Sequence, residues 1–214
     1  MNHLTKCCLG IVLASNCFAG SASPSLSPDL IKVTDKNNPK CIEYITYQGE
    51  MYCSLVALDK TPVDPQILSY EKQNVIFDHR PWKAVWGKNT PQISTIEYIP
   101  MGDDIENWKE LVTTQFIPGL INSTPDQFRN RFIEDLKKSN VTFTTHIIEN
   151  QPDSLIFEFK VNKPLNLIQD EIQKVIKGKN GMYLLHYAIK KSDMGEADRK
   201  KWIDNIKKSS IKEE

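Results

Sequence analysis

From about residue 92 onward the chain is cut into short segments rich in β-branched and aromatic residues, joined by turns. Two stretches with helical periodicity interrupt them, so the predicted order is β-β-α-β-β-β-β-α. That order constrains the fold more than any other feature. Strands joined by short turns pair antiparallel, and an amphipathic helix among them needs a sheet face to cover. The expectation is an α+β sandwich, an antiparallel sheet flanked by two amphipathic helices, over residues 92–210.

The first helix is predicted from "STPDQFRNRFIEDLKKSN". Ser123 or Thr124 suits its cap, Pro125 its first turn, and Asp126 opposes the dipole. Phe128, Phe132 and Leu136 recur at i, i+4 and i+8, with Ile133 beside them, and form one apolar stripe. "NVTFTTHIIEN" and "SLIFEFKVN" read as strands turning at 151–153, and "DEIQKVIKGKNGMYLLHYAIKK" as a second hairpin turning at 178–181. Ile168, Ile172, Val175 and Ile176 also suit a helix stopped by Gly178, and the strand reading is preferred. "EADRKKWIDNIKKS" predicts a terminal helix burying Trp202, Ile203 and Ile206.

The beginning of the chain has a different character. A lysine precedes the uncharged run "CCLGIVLASNCFAG", and small residues lead on into "SASPSLSP". This is the pattern of a secretory signal peptide, expected over 1–22 with cleavage after Ala19 or Ala22, and it is too short to span a bilayer. A lipidated Cys17 is the competing reading, with Asn16 a poor residue to precede it. Residues 23–40 are expected to be a flexible leader, and no later stretch reads as a transmembrane segment. The destination is therefore periplasmic or secreted.

Cleavage removes three of the five cysteines and leaves Cys41 and Cys53. A pair in an oxidising compartment tends to form a disulfide. A zinc site needs two more ligands, and none lies nearby in sequence. A redox pair would more typically be C-x-x-C. A structural staple is expected, closing a β-hairpin centred on Gln48-Gly49 within an N-terminal extension, 41–91. A loop of that length contributes roughly 3 kcal/mol in the chain-entropy model. A two-residue turn would not set the cysteines directly opposite each other. Within the extension "PQILSYEKQ" reads as a short helix, "NVIFDH" as a strand and "RPWKAVWGKNTP" as a loop.

Lysine plus arginine equals aspartate plus glutamate at 27 each, which argues against a dedicated nucleic-acid partner. No nucleophile elbow, zincin helix or Walker loop occurs. The better binding candidate is "FDHRPWKAVWGK", where His79, Arg80, Trp82 and Trp86 come together to stack on a ring or clamp an anion. In "MGDDIENW" the acids Asp103, Asp104 and Glu106 share a turn without the alternating ligands of a calcium loop. His3 leaves with the signal. His146 and His186 fall on predicted strands and could approach each other across the sheet, but no third group accompanies them. No catalytic residue, metal site or cofactor is assigned.

The stretch "EYIPMGDDIENWKELVTTQ" resembles a family of small exported bacterial proteins of uncharacterised function. The shared pattern falls on Glu97, Pro100, Gly102, Asn107, Trp108, Leu111, Val112, Thr113 and Gln115. The later "GKNGMYLLHYAIKK" and "RKKWIDNIKKS" are similar to that family's last hairpin and helix. The element order is also similar to the PsbP/Mog1-like sandwich, whose members mostly bind or assist assembly. The expectation that follows is an exported non-enzymatic binding or assembly protein with an unknown protein or small-molecule ligand. The alternatives are a secreted hydrolase with a dispersed site near His79, His146 or His186, and an effector acting outside the cell.

Overall fold

The computed structural model describes residues 30–47, 50–55, 65–103, 105 and 107–212. The expected signal segment with Cys17, the Gln48-Gly49 turn, Asp104 and Glu106 lie outside the described residues. The first elements are β1 (Leu30–Lys32), β2 (Glu43–Tyr47) and β3 (Glu50–Ser54), which form a small antiparallel sheet in the order β1-β3-β2. Cys41 bonds Cys53, whose side chain is fully buried. Cys53 stands opposite Tyr44 and Ile31, so the bridge reaches across from outside the ladder. The leader expected over 23–40 thus contains a strand, one too short to give a periodic signal.

A short helix α1 (Pro65–Ser69) and strand β4 (Gln73–Asn74) lead into the main sheet. Its strands are β5 (Trp82–Asn89), β6 (Ser94–Pro100), β7 (Glu110–Pro118), β8 (Thr142–Gln151), β9 (Ser154–Lys163), β10 (Gln169–Lys177) and β11 (Gly181–Ile189). Every pairing is antiparallel, in the spatial order β5-β6-β7-β11-β10-β9-β8. Two meanders are therefore zipped together by the β7–β11 pairing. The segment 169–177 is a strand, and the expected loop around Trp82 and Trp86 is the edge strand β5. A β-bulge between Ala84 and Trp86 breaks its alternation.

Helix α2 (Pro125–Lys138) carries the chain from β7, inside the sheet, to β8 at its far edge. Thr124 accepts from the Gln127 N–H at 3.1 Å while the Gln127 side chain accepts from the Thr124 N–H at 2.9 Å. This reciprocal cap satisfies two end groups of the first turn. Phe128, Phe132, Ile133 and Leu136 pack on Leu155, Phe157, Phe159, Val175, Met182 and Leu184. Helix α3 (Glu196–Lys208) covers the opposite face, where Trp202 stacks on Tyr187 with ring centroids 3.8 Å apart. One helix on each face makes the sheet the middle layer. This explains why β11 is buried along its whole length.

The α3 end is held by Lys174, whose buried ammonium donates to the carbonyls of Ile206, Lys207 and Ser209 at 3.1, 3.1 and 2.7 Å. A cation among terminal carbonyls complements the helix dipole. Beyond it β12 (Ser210–Ile211) pairs with β4 and ties the end of α3 to the segment after α1. Among the described residues no helix is long and apolar enough to cross a membrane.

Candidate functional site

The face under α2 is not apolar throughout. One row running straight across the sheet pairs Trp86 with Glu97, Glu97 with Thr113, Thr113 with His186, and His186 with Gln173. Side chains directly opposite in an antiparallel pair share a face, with Cβ atoms roughly 4.5–5.5 Å apart. Five strands thus contribute one side chain each to a continuous polar line with an aromatic ring at its outer end.

Glu171, one step along β10 on the same face, organises the inner end. Its Oε1 accepts from His186 Nδ1 at 2.8 Å and from Gln173 Nε2 at 2.6 Å, and its Oε2 accepts from Gln169 Nε2 at 2.8 Å. The carboxylate therefore fixes both polar side chains of the row. His186 places its proton on Nδ1, and Gln173 turns its amide nitrogen toward Glu171. His186 Nε2 and Gln173 Oε1 are left over, and both are buried with no hydrogen-bond partner. His186 is only 5% exposed and Gln173 0%. Buried polar atoms are nearly always paired, so two orphans on directly opposite residues call for a reason; among the described residues Arg129 Nε, Asp170 Oδ1, Trp202 Nε1 and Asn205 Nδ2 are others.

Glu97 sits two strands away with its carboxyl buried and without a donor, and burial raises its pKa to about 7. Around it the cover thins. Thr95, Thr113 and Gln115 are half-buried, and Trp86 is 42% exposed. Along this face the row is flanked by the cluster under α2 on one side and by Ile99, Trp108, Leu111 and Ala188 on the other. Lys190 lies over the Trp108 ring at 4.4 Å. The turn before the cap depends on Gly102, whose φ of +93° favours glycine. Asn107 is exposed, Pro100 is buried, and burial raises the Asp103 carboxyl.

Of the residues singled out in sequence, the structure brings Trp86, Glu97, Thr113 and His186 into one row, with Gln115 beside it. His79, Arg80 and Trp82 are elsewhere. Arg80 is clamped by Glu110, at 2.8 and 2.6 Å, and by Asp78 at 2.9 Å. Trp82 donates to Asp78 at 3.0 Å and stacks on Phe77, on the α3 side. Burial opposes ionisation of Asp78, but the Arg80 and Trp82 bonds outweigh it and bring its pKa down to about 2. His79 is exposed. His146 and His186 do not meet: β9 and β10 separate their strands, and His146 is exposed beside Glu158 on the opposite face. Glu171, Gln173 and Gln169 were missed in sequence, and the polar letters within "QDEIQKVIK" were their only signal.

A polar pocket lies on the α3 face. There Glu71 accepts from the Tyr98 and Thr114 hydroxyls, each at 2.6 Å, and from the Gln73 N–H at 2.8 Å. These bonds anchor the segment after α1 to the sheet. Among the described residues no group of three or more His, Cys, Asp or Glu is placed to hold a metal ion.

A protein-family model for an uncharacterised family matches residues 70–214. The chain belongs to that family. The matched region contains the whole main sheet, α2, α3 and every residue of the polar row, while the disulfide-bonded sheet precedes it. No curated protein and no solved structure matches the chain.

Proposed function

We propose that this is an exported, non-enzymatic protein that binds a small ligand along the polar row of Glu97, Thr113 and His186. One observation carries the reading: His186 Nε2 and Gln173 Oε1 lie buried and unpartnered in the same row as Glu97, whose carboxyl, two strands away, also lacks a donor. A bound group that donates to or accepts from them would satisfy these atoms, and leaving them bare is costly. The hydrolase alternative needs a hydroxyl or thiol within hydrogen-bond reach of the imidazole. His186 Nε2 has no such neighbour, which favours binding over catalysis. Export is supported by the signal-like start and by the Cys41–Cys53 bridge.

The test is the intact mass of protein recovered from the exported fraction, first under native and then under denaturing conditions. The expected result is a chain beginning after residue 19 or 22, two hydrogens lighter than its reduced form. Its native mass should carry an adduct that denaturation releases and that Glu97→Gln diminishes. A full-length chain confined to the cytosol overturns export. A native mass equal to the denatured mass overturns ligand binding.

A further inference from the structure

We infer that strand β8 is a docking edge for an extended segment of a partner protein, one that sets a carboxylate beside Thr145 where Arg129 can clamp it. This interaction surface goes beyond the small-ligand reading above and does not depend on it. The two edges of the main sheet are unlike. Strand β5 carries Lys83, Gly87, Lys88 and a bulge. Helix α1 and Tyr70 also pack against it so closely that a Cβ on Gly87 would lie 2.3 Å from the Tyr70 hydroxyl. Lysines, bulges and a covering element all keep an edge from pairing with another chain. Strand β8 contains no lysine, arginine, proline or glycine, and among the described residues no strand lies beyond it. Thr144, Thr145, His146 and Ile147 are exposed. From Phe143 to Ile147 its pairing with β9 is regular, and an irregularity bounds that stretch at each end. The extra residue Ile148 packs on the α3-side core. The stretch 143–147 therefore presents unpaired backbone N–H and C=O groups in regular register, the template for an added strand.

Charge says what would dock. Phe143, Thr145 and Ile147 share the α2 face, because their partners Val161, Phe159 and Phe157 belong to the cluster under α2. Arg129 of α2 reaches over this edge, its guanidinium 5.7 Å from the centre of the Phe157 ring. Its Nη2 donates to Thr145 Oγ1 and its Nη1 to Asn130 Oδ1, both at 3.3 Å, long for a charged donor. Arg80 and Arg199 each hold two or more carboxylates, whereas among the described residues Arg129 has none. Asp126, one turn earlier on α2, accepts from Asn150 at 3.0 Å, and Glu149 on β8 pairs with Lys207 at 2.8 Å. The unmatched charge at this edge is thus a cation. A strand laid on β8 sets one residue beside Thr145 and the residues two places away beside Phe143 and Ile147. An apolar–any–acidic–any–apolar segment fits, its carboxylate giving Arg129 the forked partner that the fold withholds. A second copy paired symmetrically about Thr145 would set two Arg129 side chains next to each other, which opposes self-pairing.

The experiment titrates the ¹⁵N-labelled full chain with synthetic peptides and follows its backbone amide signals. The first peptide is acetyl-Thr-Val-Thr-Glu-Thr-Val-Thr-amide. Two others carry glutamine or lysine in place of the glutamate, and a fourth is N-methylated at the glutamate and both neighbouring threonines. The glutamate peptide should bind saturably, with a dissociation constant on the order of 1 mM or below. It should shift the amide signals of 143–147 and protect them from hydrogen exchange. The glutamine peptide should bind about threefold to fivefold more weakly, and the lysine peptide roughly tenfold more weakly. Arg129→Gln should abolish the preference for glutamate over glutamine while the amide shifts in β8 persist. Thr145→Glu, at the exposed edge, supplies Arg129 with a carboxylate from within the chain and should abolish the same preference; it is the check should Arg129→Gln fold poorly. Lysine or N-methylated peptide binding as tightly as the glutamate peptide would overturn the inference, as would shifts centred outside β8 or no saturable binding. Protection of the β8 amides that rises with the concentration of the protein alone would make the occupant a second copy and overturn it too.

Discussion

Replacing Glu97 by glutamine should flatten the dependence of stability on pH and make the protein more stable in mild alkali. Burial lifts the Glu97 carboxyl from an ordinary 4.5 to about 7 in the folded chain. A carboxyl whose folded value is raised binds its proton more tightly folded than unfolded. Its contribution is therefore fully present below pH 4.5 and lost as the pH climbs through 7. At about 1.4 kcal/mol for each tenfold difference, the gap corresponds to a loss of roughly 3 kcal/mol, an upper bound because the neighbouring Thr95, Thr113 and Gln115 are only half-buried. Glutamine has the same shape and no proton to lose. Urea unfolding at pH 4 and pH 8 measures the difference directly. The two proteins should agree within about 0.5 kcal/mol at pH 4, and the variant should be the more stable by roughly 1–3 kcal/mol at pH 8. Asp170, raised by burial to about 6, adds a slope of the same sign in both proteins and cancels in the comparison. An equal difference at the two pH values would refute the argument, as would a less stable variant at pH 8.

Three other perturbations test neighbouring parts of the structure. Glu171→Gln keeps one acceptor and weakens bonds that had a charged partner, at a cost of about 2 kcal/mol, while Glu171→Ala strands three donors and costs roughly 3–6 kcal/mol. Equal costs in urea titrations would show that the carboxylate does not organise the row. Lys174→Met leaves three α3-end carbonyls without their shared donor and should cost about 2–4 kcal/mol, read as a fall in Tm; an unchanged Tm would remove Lys174 from the account of that helix end. Thr124→Ala removes one half of the α2 cap, with an expected loss of about 1 kcal/mol in the same assay.

The strands from residue 94 onward and both long helices were legible because each carries its own periodicity. Strand β5 was not. It lies at the edge, contains a glycine and two lysines, and its bulge at Val85 shifts the alternation by one residue. The candidate site was legible only in pieces. Glu97, Thr113 and Gln115 stood out through the family resemblance, His186 as an isolated strand histidine, and Trp86 as part of a supposed loop. What joins them is register. Thr113 meets His186 only because β7 pairs with β11 across an intervening helix and three strands. No local pattern encodes that pairing. Glu171 and Gln173 read as the polar side of a hairpin because their burial comes from the central position of β10 and the cover above it.

Several charged groups inside the fold are matched: Lys174 has three carbonyls, Glu71 three donors and Arg80 two carboxylates, while among the described residues Arg129 Nε and Asp170 Oδ1 are buried without a partner. The row beside the polar one shows what this position would hold if packing alone had shaped it. There Leu184, Val175 and Leu155 follow one another beneath α2. Apolar residues of similar volume often equal or exceed a buried polar network in stability. The combined variant Gln169→Leu, Glu171→Leu, Gln173→Val and His186→Leu should therefore unfold within about 1 kcal/mol of the parent or above it, while losing the adduct carried by the native protein. If it instead loses more than about 3 kcal/mol, the row is a structural network that holds β10 to β11, and its unpartnered atoms carry no message about a ligand. Retained stability with lost binding would mean that the fold tolerates these groups for what they contact outside the chain.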